Sequence, residues 1–81
     1  MALIDPERHA DLIQLQRRVN EAFAELEVFD GDDAERPGLR EQARQAAAAK
    51  QQALHDSGLA GEHGYHQADT ALRRAAREAE G

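Results

Sequence analysis

Leu12-Ile13-Gln14-Leu15-Gln16-Arg17-Arg18-Val19-Asn20-Glu21-Ala22-Phe23-Ala24-Glu25-Leu26-Glu27-Val28-Phe29 decides the fold of this chain. Leu12, Leu15, Val19, Ala22, Leu26 and Phe29 recur at spacings of 3, 4, 3, 4 and 3 residues. That is the seam of a helix built to lie against another helix, and Phe23 widens it by one position. The punctuation agrees. Asp5 can accept from free backbone N–H groups, Pro6 suits a first helical position, and Glu7 puts negative charge near the positive helix end. The spacing predicts a helix over 6–29, about 36 Å long, with Gly31 as its stop.

Nothing later in the chain matches this seam in bulk. Of 81 residues, 33 are nominally hydrophobic, but 17 of those are Ala and only 16 are large apolar side chains. A chain this short usually supplements its core with disulfides, a metal or oligomerisation. It has no Cys, so oligomerisation is the first remedy. No run approaches the roughly 20 apolar residues that span a bilayer. The start of the chain has no basic flank before an apolar core, so no signal peptide is expected. The expected location is the cytoplasm, with no membrane association.

Residues 30–36 are acidic, polar and interrupted by Gly, and read as a loop. Pro37 opens a second helix over 37–57, rich in Ala, Gln, Arg and Glu. Its end is well marked. Gly58 suits the left-handed residue after the cap, which places Leu54 and Leu59 at the apolar contact of a Schellman motif. Residues 58–64, with three glycines, read as a second loop, and a last helix is expected over 65–80. On that helix Tyr65, Ala68, Leu72, Ala75 and Ala79 form a thin ladder, with Asp69–Arg73 and Arg74–Glu78 as pairs four apart. The expected fold is therefore all-α: one domain (1–81), an antiparallel helical hairpin plus a third C-terminal helix, completed as a bundle by dimerisation. Lys50 interrupts the seam of the second helix unless its head reaches solvent.

Clusters that could carry chemistry are few. Asp30, Asp32 and Glu41 fall at positions 1, 3 and 12 of a calcium-loop register. Ala34 replaces a ligand, Glu35 stands where Gly is needed and Pro37 intrudes, so a solvated acidic turn is the better reading. His55, His63 and His66 gather near the glycines, but no Cys joins them and their spacing matches no zinc pattern. Glu21 and Glu25 lie one turn apart without the Glu-x-x-His partners of a di-iron bundle. No metal, cofactor or catalytic residue is assigned. Arg73, Arg74 and Arg77 give the last helix a basic stretch, diluted by Asp69. The formal charge of −6 comes entirely from residues 1–38, with ten acids against four Arg. Such a surface repels a phosphate backbone.

The stretch from Leu12 to Arg18, leading into Glu21-Ala22, resembles the opening helix of small actinobacterial all-helical proteins of unknown function. Gly64-Tyr65-His66-Gln67-Ala68-Asp69-Thr70-Ala71-Leu72-Arg73-Arg74-Ala75-Ala76-Arg77 resembles their tail, where a Tyr likewise opens a helix ending in Ala and basic residues. The middle of this chain lacks the Trp residues of that group. The resemblance implies a helical fold and carries no activity or site residue.

The sequence thus points to a non-enzymatic protein–protein interaction or self-assembly module, a homodimer or higher homo-oligomer that can also engage another protein. Leu12, Leu15, Val19, Phe23, Leu26 and Phe29 would form its coiled-coil interface. The alternative is a small DNA-associated regulatory accessory protein using Arg73, Arg74 and Arg77.

Overall fold

The computed structural model describes residues 3–31 and 33–80. The chain is all-α, with four helices among the described residues: α1 (Ala10–Val28), α2 (Arg36–Asp56), α3 (Leu59–His63) and α4 (Tyr65–Glu80). A 3-10 turn, Asp33–Glu35, leads into α2.

The N-terminus departs from the expected helix over 6–29. Asp5 does cap, its carboxylate accepting from the N–H groups of Glu7 (2.9 Å) and Arg8 (3.4 Å). These bonds favour the charged form and hold its pKa below the ordinary carboxylate value. The turn then closes on itself. Asp5 N–H donates to His9 Nδ1 (2.9 Å), and His9 N–H donates to the Asp5 carbonyl (2.8 Å). His9 has left helical angles (φ −110°, ψ 30°), so α1 starts afresh at Ala10. At its other end α1 stops at Val28 because Phe29 turns extended (φ −65°, ψ 124°). Gly31 is not a left-handed stop. Its lack of a side chain leaves room for the Phe29 ring, which a Cβ there would meet at 2.7 Å.

Helix α2 begins one residue before Pro37, and the proline occupies its first turn, where a missing N–H costs nothing. Its C-terminal end follows the expected pattern with one substitution. Gly58 is left-handed (φ 85°), and its N–H donates to the His55 carbonyl (3.1 Å). The second bond of the motif runs through a side chain. Ser57 Oγ donates to the Leu54 carbonyl (2.6 Å) and accepts from Leu59 N–H (3.2 Å). Leu54 and Leu59 both enter the core.

The glycine-rich stretch 58–64 is not the loop expected. Leu59–His63 make a full helical turn, because only Gly58 and Gly64 use positive φ (85° each). Gly58 and Gly64 end one helix and start the next, and Gly61 is an ordinary helical residue between them.

The core gathers where the chain start, the end of α2, α3 and α4 meet: Ile4, Leu12, Ile13, Leu54, Leu59, Ala68, Leu72 and Ala76. Leu54 and Leu72 are fully buried, each worth about 1.5–3 kcal/mol relative to exposure. On α4 the buried stripe is Ala68, Leu72 and Ala76, whereas Tyr65 and Ala79 of the expected ladder face outward. Lys50 is also buried (3% exposed), and its head meets Asp69 of α4 rather than solvent. Asp69 takes a second cation from Arg73 Nε at 2.9 Å.

Two ion pairs place α4. Lys50–Asp69 joins its beginning to α2, and Arg17 Nε lies 3.7 Å from Glu80 Oε1 where its end meets α1. Since Arg17 lies in the first half of α1, α4 covers only that half. Beyond it, the α1–α2 hairpin stands two helices thick, closed at its tip by Arg36 over the Phe29 ring (5.7 Å to the centroid). The molecule is accordingly elongated, 45 × 26 × 18 Å. Its radius of gyration of 13.9 Å exceeds the roughly 12 Å of a compact chain this long.

Candidate interaction surface

The α1 seam divides according to what covers it. Leu12 (5% exposed) and Val19 (8%) are buried inside the chain, and Leu15, Ala22, Leu26 and Phe29 are half-buried. Phe23 is 45% exposed, and Val28, outside the seam, is 78% exposed. Two residues the ladder did not mark are buried as well. Ile13 (5%) sits on the flank that meets α4 and the N-terminal segment, a direction a two-helix seam does not report, and Gln16 is 1% exposed. The signal for Ile13 was its lone place beside Leu12, ambiguous without a third helix.

The hairpin end that α4 leaves uncovered has a division of charge. Residues 18–28 of α1 carry Glu21, Glu25 and Glu27 against Arg18, while the facing start of α2 carries Arg36, Arg40 and Arg44 against Glu41. Glu41 is taken up locally: Arg44 Nε donates to it at 2.8 Å, and Gln45 Nε2 at 3.2 Å. The Arg44 hydrogen bond lowers the Glu41 pKa and raises that of Arg44. Among the described residues, Glu21, Glu25, Glu27 and Arg40 make no ion pair.

The other clusters do not assemble. Asp30 is exposed, Glu41 is committed to Arg44, and Asp32 lies outside the described residues. His55 and His66 are exposed, and His63 faces Glu62 (3.6 Å). No group of three His, Cys, Asp or Glu able to hold a metal forms among the described residues. The arginines of α4 diverge in role. Arg73 is bound to Asp69, Arg74 lines a groove, and Arg77 is exposed.

That groove is the second open surface. It lies between the N-terminal segment (Leu3, Ile4, Pro6) and α4, above Ile13, with a volume of about 960 Å³. A smaller depression on the other side of the N-terminal segment is lined by Asp5, His9, Ser57 and His63.

No helix among the described residues is long and apolar enough to cross a membrane. Comparison with family models, curated proteins and solved structures finds no match to this chain.

Proposed function

We propose that this chain is a non-enzymatic, cytoplasmic interaction module that self-associates through the uncovered end of the α1–α2 hairpin. The observation that carries the reading is the apolar surface left open on the second half of α1, where Phe23 is 45% exposed and Leu26 and Phe29 are half-buried. A two-helix layer buries only one side of each apolar stripe, and a second copy laid across it makes four helices around one core. The occupant is a second copy of this chain because the charges suit it. A two-fold copy that lays α1 along its neighbour's α2 sets Glu21, Glu25 and Glu27 opposite Arg40, which makes no ion pair among the described residues, and the same contact is repeated by symmetry. Of the sequence-derived interface residues, Phe23, Leu26, Phe29 and Leu15 are the ones with surface to give. Leu12 and Val19 support them from within.

Sedimentation velocity at two concentrations tests the proposal. The expected result is a mass above 8.9 kDa that rises with concentration, and a return to monomer in Phe23→Glu with helicity unchanged. Phe23 is half exposed, so this substitution leaves the core intact. A wild-type mass fixed at the monomer value at both concentrations overturns the reading. So does an unchanged oligomer in Phe23→Glu.

A further inference from the structure

The groove at the opposite end of the molecule is independent of the hairpin. Its α4 wall is Ala71, Ala75 and Ala79, one turn apart, and its floor and far wall are Ile13, Ile4 and Leu3. These side chains offer no hydrogen bonds. The polar groups sit on the α4 side, and most are neutral or already engaged. Thr70 Oγ1 donates to the His66 carbonyl (2.9 Å). Arg74 differs. Glu78 stands one turn further on, the same spacing that pairs Asp69 with Arg73 at 2.9 Å, yet Arg74 makes no ion pair among the described residues. An exposed guanidinium thus borders an apolar groove within the range of small-ligand sites, about 300–1,000 Å³.

We propose that this groove binds an amphiphilic monocarboxylate, an aliphatic chain ending in one carboxylate. Arg74 takes the head with its planar fork of donors, which matches a carboxylate in bidentate fashion. The chain lies along the alanine wall of α4. Glu78 sets the charge of the head. Its carboxylate, one turn from Arg74, disfavours a doubly charged group such as a phosphate monoester and tolerates a single negative charge shared with the guanidinium. The small Ala side chains leave width for a methylene chain.

The test titrates the full isotope-labelled chain with sodium dodecanoate below its micellar concentration, read by amide chemical shifts. The expected result is saturable shifts at Ile13, Ala71 and Ala75. In Arg74→Gln, whose helicity is unaffected because Arg74 is exposed, affinity falls about tenfold, the scale of one charge-assisted contact. Ala79→Phe, at an exposed position, fills one end of the groove and also weakens binding. Dodecyltrimethylammonium, with the same chain and opposite charge, binds more weakly than dodecanoate. Equal binding of the two amphiphiles overturns the proposal. Undiminished affinity in Arg74→Gln, shifts confined to Phe23 and Leu26, or no shifts at all do the same.

Discussion

Lys50 and Asp69, nineteen residues apart, form an ion pair whose side chains are only 4% and 14% exposed, and this pair joins α2 to α4. A buried charge without its partner retains its desolvation cost, whereas replacing both partners by apolar side chains removes it. Asp69→Leu should therefore destabilise by about 3 kcal/mol, because it strands Lys50, and Lys50→Met by less, because Asp69 keeps Arg73. Lys50→Met combined with Asp69→Leu should cost far less than the two single changes together. Arg73, left free by the double change, is exposed and can hydrate. Chemical denaturation of the two singles and the double gives the coupling. A double mutant as unstable as the sum of its singles would show that the pair is not the unit joining these helices.

Gln16 presents the opposite case. It is 1% exposed; its Nε2 donates to Asn20 Oδ1 at 2.9 Å, but its Oε1 is buried with no hydrogen-bond partner. An orphaned buried acceptor costs about 1–3 kcal/mol, more than a single partly exposed side-chain hydrogen bond returns. Gln16→Leu should raise stability by about 1 kcal/mol, a gain of roughly 4–8 °C in melting temperature for a domain this size. Thermal unfolding by circular dichroism decides it, and a lower melting temperature contradicts the assignment.

These two residues mark what the sequence could and could not disclose. The 3-4 ladder of α1 reports contact with one neighbouring helix, and it correctly marks Leu12 and Val19 as buried. Ile13 points toward a second neighbour, and Ile4 is buried from outside any helix. Those positions become core only once α4 docks. Lys50 was visible as an interruption, but its partner was not. Asp69 already has a local explanation in Arg73 four residues on, and spacing alone gives no reason to prefer a lysine nineteen residues earlier. The extent of the exposed surface was hidden for the same reason. How much of the α1 seam stays open depends on where α4 docks, a position marked by Lys50–Asp69 on α2 and Arg17–Glu80 on α1.

The glycines of 58–64 should respond to the same substitution with opposite signs. Gly58 has φ 85°, where a Cβ strains the backbone although nothing lies within 4 Å of it. Gly58→Ala should cost about 1 kcal/mol. Gly61 lies inside α3 without positive φ and equally in open space. Gly61→Ala should stabilise by about 0.4–1 kcal/mol, by restricting the unfolded chain and favouring helix. Denaturant midpoints of the two variants separate the cases. A matching sign for both would contradict the helical turn assigned to Leu59–His63.

The capping turn of Asp5 predicts a pH dependence. Its carboxylate accepts from the N–H groups of Glu7 and Arg8, and these bonds lower its folded-state pKa below the ordinary value of 3.8. The unfolded chain therefore binds the proton more readily around that pH, so stability from this group is complete above the unfolded pKa. It is lost as pH falls through the lower, folded value. Asp5→Ala should accordingly lower the melting temperature at pH 7, and the gap from wild type should shrink as the pH is taken from about 5 toward 2. His9 shares the turn by accepting from Asp5 N–H through Nδ1, so the comparison is made at fixed pH between variants rather than along one wild-type curve. Melting temperatures at four or five pH values suffice. A gap that persists undiminished at pH 2 would assign the effect to lost packing or helix propensity instead of to the charged cap.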